Sequence, residues 1–145
     1  MTEKRRGATY HEAGHAVVAW EVCCKVLAIH VNDEGNGRTE TECHYGRMSF
    51  RDRIALCCAG EVAQAMFDAQ THAMAVADDW GLLDPLLRGL PDDTKKELRE
   101  AGKLRAHEVL KQYCRNVDRV AAYLMTHDEL VGSTFIRLLL GNEPD

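Results

Sequence analysis

The stretch that constrains this chain most is TYHEAGHAVVAW, residues 9 to 20. His11 and His15 stand four positions apart in it, and Glu12 follows the first histidine directly. On a helix, residues four apart lie one above the other on the same face, so both imidazoles can reach one point. The fold must therefore accommodate a helix with two histidines on one face and a carboxylate beside them.

Small residues surround the two histidines. Ala13, Gly14 and Ala16 leave little side-chain bulk on this part of the helix. We therefore expect another element of the fold to pack close to the helix beside the histidines.

The spacing HExxH is typical of a catalytic zinc site. Zn²⁺ binds neutral imidazole, and catalytic sites usually combine three protein ligands with a water. Glu12 is about 100° round the helix from His11, where it can take a proton from that water without binding the metal. The alternative is an amphipathic helix that carries two histidines with no metal.

The third ligand stays open at this point. Glu61 lies on an apolar stretch, CCAGEVAQAMF, where a lone charge needs a partner. Asp78 and Asp79 precede Trp80, where an aspartate could equally cap a helix. The candidates are His30, Glu61, His72, Asp78 and Asp79.

Composition narrows the class of protein. The 145 residues suffice for one domain, and a net charge of −5 disfavours nucleic acid and anionic membranes as partners. The N-terminal residues lack the apolar run of a secretory signal, and no apolar run approaches the ~20 residues of a membrane span. We expect a soluble, cytoplasmic protein.

The six cysteines do not form a disulfide pattern, so we expect reduced thiols that serve mainly as small core residues. A second metal site at Cys43, His44 and Cys57 is conceivable, but it lacks the CxxC spacing of strong zinc sites.

The remaining sequence predicts a mostly α protein with a small β-hairpin or sheet, an α+β class. The turn-forming DEGNG separates two short strands, and Ser49 with Asp52 resembles a capping box. The predicted helices are 8–24, 49–67, 71–88, one or two over 90–125, and 128–140; the predicted strands are 26–32 and 38–46.

In its motifs and their order the chain resembles the FtsH-type zinc peptidase domain, peptidase family M41. HEAGHAVVAW, ALCCAGEVAQAMF and AVADDWGLLDPLL follow in the family's order and rough spacing, and the likeness covers nearly the whole chain. The first motif is specific and the later ones are loose. The resemblance implies a single domain over 1–145, with a zincin-like metal-site part with the hairpin (1–90) and closing helices of a bundle (91–145).

The resemblance also implies site roles. His11, His15 and an aspartate would bind Zn²⁺, and Glu12 would be the general base. In the family the aspartate precedes an apolar residue, which favours Asp79 before Trp80 over Asp78. Gln64 stands where the family usually has a glutamate, so a carboxylate role at that position is lost, and Glu61 is out of register.

The expected function is therefore a zinc metalloendopeptidase that cleaves peptides or unfolded proteins through a zinc-bound water. FtsH proteins carry a membrane span and an ATPase ahead of this domain, whereas here the motif begins at residue 11 and no GxxxxGK[ST] phosphate loop occurs. We expect a peptidase domain standing alone. The family's rings suggest a homo-oligomer, and a separate ATPase could supply folded substrates. The alternative is a zinc-stabilised interaction module that does not cleave.

Overall fold

A computed structural model of the chain describes residues 3–69 and 85–141. The described elements are mainly helices with a few short strands, and the strands are antiparallel, as in an α+β fold. In chain order they are α1 (Glu3–Glu21), β1 (Lys25–Val31), β2 (Gly37–Glu42), a 3-10 turn (Tyr45–Arg47), α2 (Phe50–Met66), α3 (Asp92–Gln112), α4 (Cys114–Leu124), β3 (Glu129–Val131) and α5 (Gly132–Leu139).

The sheet has three antiparallel strands in the order β2-β1-β3. The β1–β2 connection is the predicted turn: the side chain of Asn32 accepts hydrogen bonds from the main-chain N–H groups of Glu34 and Asn36. Gly35 has a φ of +87° there, which favours glycine. The predicted hairpin is confirmed, and β2 is an edge strand of the described sheet.

Helix α1 lies at the centre of the packing. It contacts α2, α3, α4, β1 and β2, and α3 also packs against α2. Most of its residues are buried, so it cannot show the one-sided apolar stripe of a surface helix. Among the described residues, the largest fully buried side chains are Phe135, Ile29, Ile54, Leu87, Leu110, Leu124, Leu130, Val17, Val18, Val109 and Val117.

A buried arginine fixes the first turns of α1. Arg5 is 5% exposed, and its guanidinium donates to the main-chain oxygen of Leu124 at 2.7 and 3.1 Å. The same group pairs with Asp33 at 3.0 Å and Asp128 at 2.8 Å. The site helix is thereby tied to the hairpin turn and to the end of α4.

Helix α2 begins as its sequence predicts. The Ser49 side chain accepts from the main-chain N–H of Asp52 at 3.1 Å, and Ser49 has the extended backbone of an N-cap. The predicted cap is confirmed.

Several helix boundaries differ from the prediction, and α1 begins at Glu3 rather than at 8. The last helix was expected from 128, but Glu129–Val131 forms β3, because these residues pair with β1 at Ala28–His30. Helix α1 ends at Glu21 rather than 24, and Cys23 follows with a φ of +67°, which no α-helix continues. The predicted helix over 71–88 lies mostly outside the described residues.

The cysteines also differ from the prediction. Cys24, just before β1, forms a disulfide with Cys43, just after β2, where reduced thiols were expected. The bridge closes the open end of the hairpin. It also removes Cys43 from the conceivable second metal site, because a disulfide sulfur is not a thiolate ligand.

The predicted fold class, mostly α with a small sheet, is confirmed. Among residues 3–69 and 85–141, no helix has the length and apolarity that crossing a membrane requires.

Candidate metal centre

The two histidines of the motif meet on the side of α1 that faces α2. The Nε2 atoms of His11 and His15 lie 3.3 Å apart, and the ring centroids lie 4.9 Å apart. His11 is 5% exposed, whereas His15 is half-buried. The predicted juxtaposition on one helix face is therefore present.

Oxygen acceptors on α2 hold the opposite nitrogen of each ring. His11 Nδ1 lies 2.6 Å from Oε1 of Gln64, and His15 Nδ1 lies 2.9 Å from the main-chain oxygen of Leu56. A carbonyl oxygen accepts and cannot donate, so both Nδ1 atoms carry the hydrogen. In each neutral ring the lone pair then belongs to Nε2, the atom that points to the other histidine.

The orientation of the Gln64 amide follows from its second contact. Its Nε2 donates to the main-chain oxygen of Ala69 at 3.0 Å, which leaves Oε1 on the side of His11. Gln64 is 4% exposed, so this pair of bonds satisfies polar groups that are shielded from water. The arrangement fixes both the tautomer and the ring orientation of His11.

Glycines let α2 approach the histidines. A Cβ atom on Gly60 would overlap the His11 imidazole, and one on Gly14 would lie 2.8 Å from the main-chain oxygen of Ala59. Ala13 and Ala16 are fully buried. The expectation that small residues permit close packing beside the histidines is confirmed.

This geometry fits a zinc ion. A tetrahedral ion with bonds of about 2.0–2.1 Å separates two ligand nitrogens by about 3.3–3.4 Å. The observed Nε2–Nε2 distance of 3.3 Å matches that separation. A direct hydrogen bond between these atoms would require a second proton on one ring. That ring would then be a cation within a largely buried pair.

Glu12 extends from a different side of α1, toward the hairpin. It is 7% exposed, and its Oε1 accepts a hydrogen bond from the Thr39 hydroxyl of β2 at 2.8 Å. A Cβ on Gly37 would lie 2.7 Å from Glu12 Cγ, so the strand packs against the stem of this side chain. A buried carboxylate thus follows His11 directly in the chain and extends away from the histidine pair.

The aromatic residue before the motif joins three helices. The Tyr10 ring stacks on Phe67 at 4.9 Å, and its hydroxyl donates to Asp118 at 2.8 Å. Burial, followed by this hydrogen bond, raises the pKa of Tyr10 above its ordinary value, so the phenol keeps its proton. Tyr10 therefore stabilises the first turn of the site through packing.

The predicted third ligand, Asp79, lies outside the described residues, as do Asp78, His72 and Trp80. The other two candidates have different partners. Glu61 is 3.4 Å from Lys103, which supplies the partner that its charge requires, and His30 is 3.1 Å from Glu40. Within residues 3–69 and 85–141, no three His, Cys, Asp or Glu side chains form a metal-binding group.

Two site residues were missed from the sequence: Gln64 as a partner of His11, and Thr39 as a partner of Glu12. Both had a weak signal. Gln64 is the polar residue within the short stretch VAQAMF, and Thr39 alternates with charged residues along β2, which places its side chain on the inner face.

No protein-family model matches this chain, and no curated protein matches its sequence.

Proposed function

We propose that this protein is a zinc-dependent metalloendopeptidase that hydrolyses peptide bonds in peptides and unfolded proteins. One observation carries the proposal: the Nε2 atoms of His11 and His15 lie 3.3 Å apart while both Nδ1 atoms are held by oxygen acceptors. Two lone pairs that converge at this distance favour a shared cation, and the motif adds a carboxylate beside it.

His11 and His15 would hold the ion, and Asp79 is the third ligand that the sequence favours. When bound, Zn²⁺ would polarise the scissile carbonyl and lower the pKa of an attacking water. The gap between the two Nε2 atoms is set by α2, because both rings take their orientation from acceptors on that helix.

Glu12 would act as the general base and then as the general acid. Its carboxylate takes a proton from the attacking water while the oxygen of that water bonds to the carbonyl carbon. The same proton then passes to the leaving amine as the C–N bond breaks. Burial of the side chain would limit competition from bulk water for this proton.

The substrate would be an extended segment that pairs with the outer edge of β2. This strand is bonded to β1 on one side, and the Thr39 that contacts Glu12 lies within it. A peptide added there by strand addition would run past the base. An edge can accept only chain that is already extended, so short peptides and unfolded proteins are the substrates that fit. A folded substrate would need a separate ATPase.

We infer a cytoplasmic location from the sequence. Fractionation of cells that express the protein, followed by immunodetection in each fraction, tests this location. Detection only outside the cytosolic fraction would contradict it.

The first test compares casein cleavage by the wild type and Glu12→Gln, with zinc present and ATP absent. We expect both proteins to hold about one zinc per chain, and only the wild type to cleave. Glu3→Gln is the matched control, because Glu3 is an exposed carboxylate on the same helix. Equal cleavage by wild type and Glu12→Gln would refute the assigned role of Glu12. Zinc binding without cleavage by either protein would favour a zinc-stabilised module or a dependence on an ATPase.

A further inference from the structure

We propose that Thr39 is a positioning residue for the reaction: its hydroxyl fixes the Glu12 carboxylate in the orientation that accepts the proton. This inference rests on the proposed peptidase function. It concerns a residue that neither the motif nor its spacing identifies.

The contact crosses between two elements of the fold. The Thr39 hydroxyl on β2 lies 2.8 Å from Glu12 Oε1 and 3.2 Å from the main-chain oxygen of Glu12 on α1. A hydroxyl has one proton to donate. The shorter distance falls within the usual range for O–H···O bonds, and a carboxylate is the stronger acceptor. The proton of Thr39 is therefore directed to Oε1.

Strand β2 also restricts the rest of the Glu12 side chain by steric contact. Gly37 and Thr39 are two residues apart on β2, so they lie on the same face of the sheet. A Cβ at Gly37 would lie 2.7 Å from Glu12 Cγ and 3.1 Å from Oε2. The backbone of Gly37 thus limits the stem of Glu12 while Thr39 holds one oxygen.

Pairing within the hairpin fixes both strand residues. Thr39 is in register with Ile29, and Gly37 is in register with Val31. Ile29 is fully buried, and Val31 is 5% exposed. The hydroxyl is therefore placed by a strand pair whose inner partner belongs to the core, and Glu12 takes its orientation from the core through Thr39.

A fixed carboxylate has a direct chemical consequence. Thr39 engages Oε1, so the new O–H bond is formed at Oε2 when the attacking water loses its proton. Without the hydroxyl, the three side-chain torsions of Glu12 are less restricted, and fewer substrate complexes have the base in place. The expected loss is in turnover, because Thr39 has no role in substrate affinity in this scheme.

The test compares Thr39→Val, which keeps the shape and removes the donor, with Thr39→Ser, which keeps the donor. We expect Thr39→Val to lower kcat about tenfold with KM and zinc content unchanged, the loss of one hydrogen bond to a charged group. Thr39→Ser should restore kcat to within about twofold of wild type. Thr126→Val is the control for the same substitution, because Thr126 is exposed and its hydroxyl donates to the main-chain oxygen of Tyr123 rather than to Glu12.

Two results overturn the proposal while the peptidase assignment stands: unchanged kcat in Thr39→Val, or an equal loss in Thr39→Ser. A wild type that binds zinc and cleaves nothing overturns the peptidase function and this role together. A readout besides activity is the coupling between Thr39→Val and Glu12→Ala in urea unfolding of the zinc-free protein. We expect the two changes to be non-additive by about fivefold or more in the unfolding equilibrium constant. Additive changes would show that the two side chains do not interact.

Discussion

The two sides of helix α1 are supported by different kinds of structure. On one side, His11 and His15 take their orientation from α2, a helix that packs against α1 through glycine and alanine. On the other side, Glu12 meets β2, an edge strand whose side chains are exposed or half-buried, and a single hydroxyl binds its carboxylate. The proposed metal ligands are thus oriented by buried helix packing, whereas the proposed base is oriented by a strand at the surface.

If the proposed function holds, we expect mutations to change metal retention and turnover separately. Helix packing tolerates little change in volume, so changes on the α2 side should affect the metal first. Changes on the β2 side should leave the histidines in place and affect the proton transfer. Substitutions on each side of α1 test whether the two sides act separately.

Gly60→Val should have the largest effect. Gly60 lies so close to His11 that even a Cβ would overlap the imidazole, and a branched side chain would displace it. We expect zinc binding to be lost and the free energy of unfolding to fall by about 3 kcal/mol or more, as overpacking of a buried contact costs. Zinc titration and urea unfolding measure the two effects.

Gly46→Val is the matched control, because nothing lies within 4 Å of a Cβ placed there. It should bind zinc as the wild type does. Equal zinc affinity in Gly60→Val would show that the position of His11 does not depend on α2.

Removal of the Cys24–Cys43 disulfide should be the next largest change in stability. The bridge spans 19 positions and closes the open end of the hairpin. For a closed loop of this length we expect the free energy of unfolding of a Cys24→Ala/Cys43→Ala variant to fall by about 3 kcal/mol. The main reason is that the unfolded chain gains conformational entropy when the bridge is absent. Zinc affinity should be retained, because the histidine contacts lie on α2. Thermal unfolding and zinc titration provide the measurements.

Cys114→Ala, a change of an exposed free cysteine, is the control and should leave both quantities unchanged. A loss of zinc affinity in the double variant would show that the hairpin also supports the position of the two histidines.

Much of the local structure was predictable because its causes are local. The i, i+4 spacing placed His11 and His15 on one face, Asn32–Asn36 formed the turn, and Ser49 capped α2. Each of these depends on residues within a few positions of one another. The small residues around the motif also correctly predicted close packing, because only their size is needed for that inference.

The partners across the fold were not predictable for the opposite reason. The pairs His11–Gln64 and Glu12–Thr39 are 53 and 27 positions apart in the chain. Local spacing cannot specify such contacts, which arise from tertiary packing. Strand β3 was missed similarly, because three residues become a strand only when β1 offers them an edge.

Gln64→Leu should weaken zinc binding by about 10–100-fold, the usual cost of losing the partner of a ligand histidine. Leucine keeps the volume of the side chain but removes the oxygen that holds His11 Nδ1. Gln64→Glu should retain an acceptor for the same nitrogen and bind zinc more tightly than Gln64→Leu. A chelator competition assay on the purified protein measures the affinities.

Gln112→Leu, at the exposed end of α3, is the control for the same substitution. Unchanged zinc affinity in Gln64→Leu would mean that His11 is oriented by the helix packing alone.

Ser49→Ala should have the smallest effect, because it weakens the start of α2 and leaves the candidate site unchanged. It removes the cap that accepts the Asp52 N–H at the start of α2, which typically costs about 1 kcal/mol in the free energy of unfolding. The cap is far along α2 from Gly60 and Gln64, so zinc affinity and casein cleavage should match those of the wild type once both proteins are folded. Ser49→Asp should recover the stability, because aspartate is an equally good cap and adds a negative charge at the helix start. Weaker zinc binding by Ser49→Ala would show that a change at the start of α2 alters the positions of His11 and His15 through that helix.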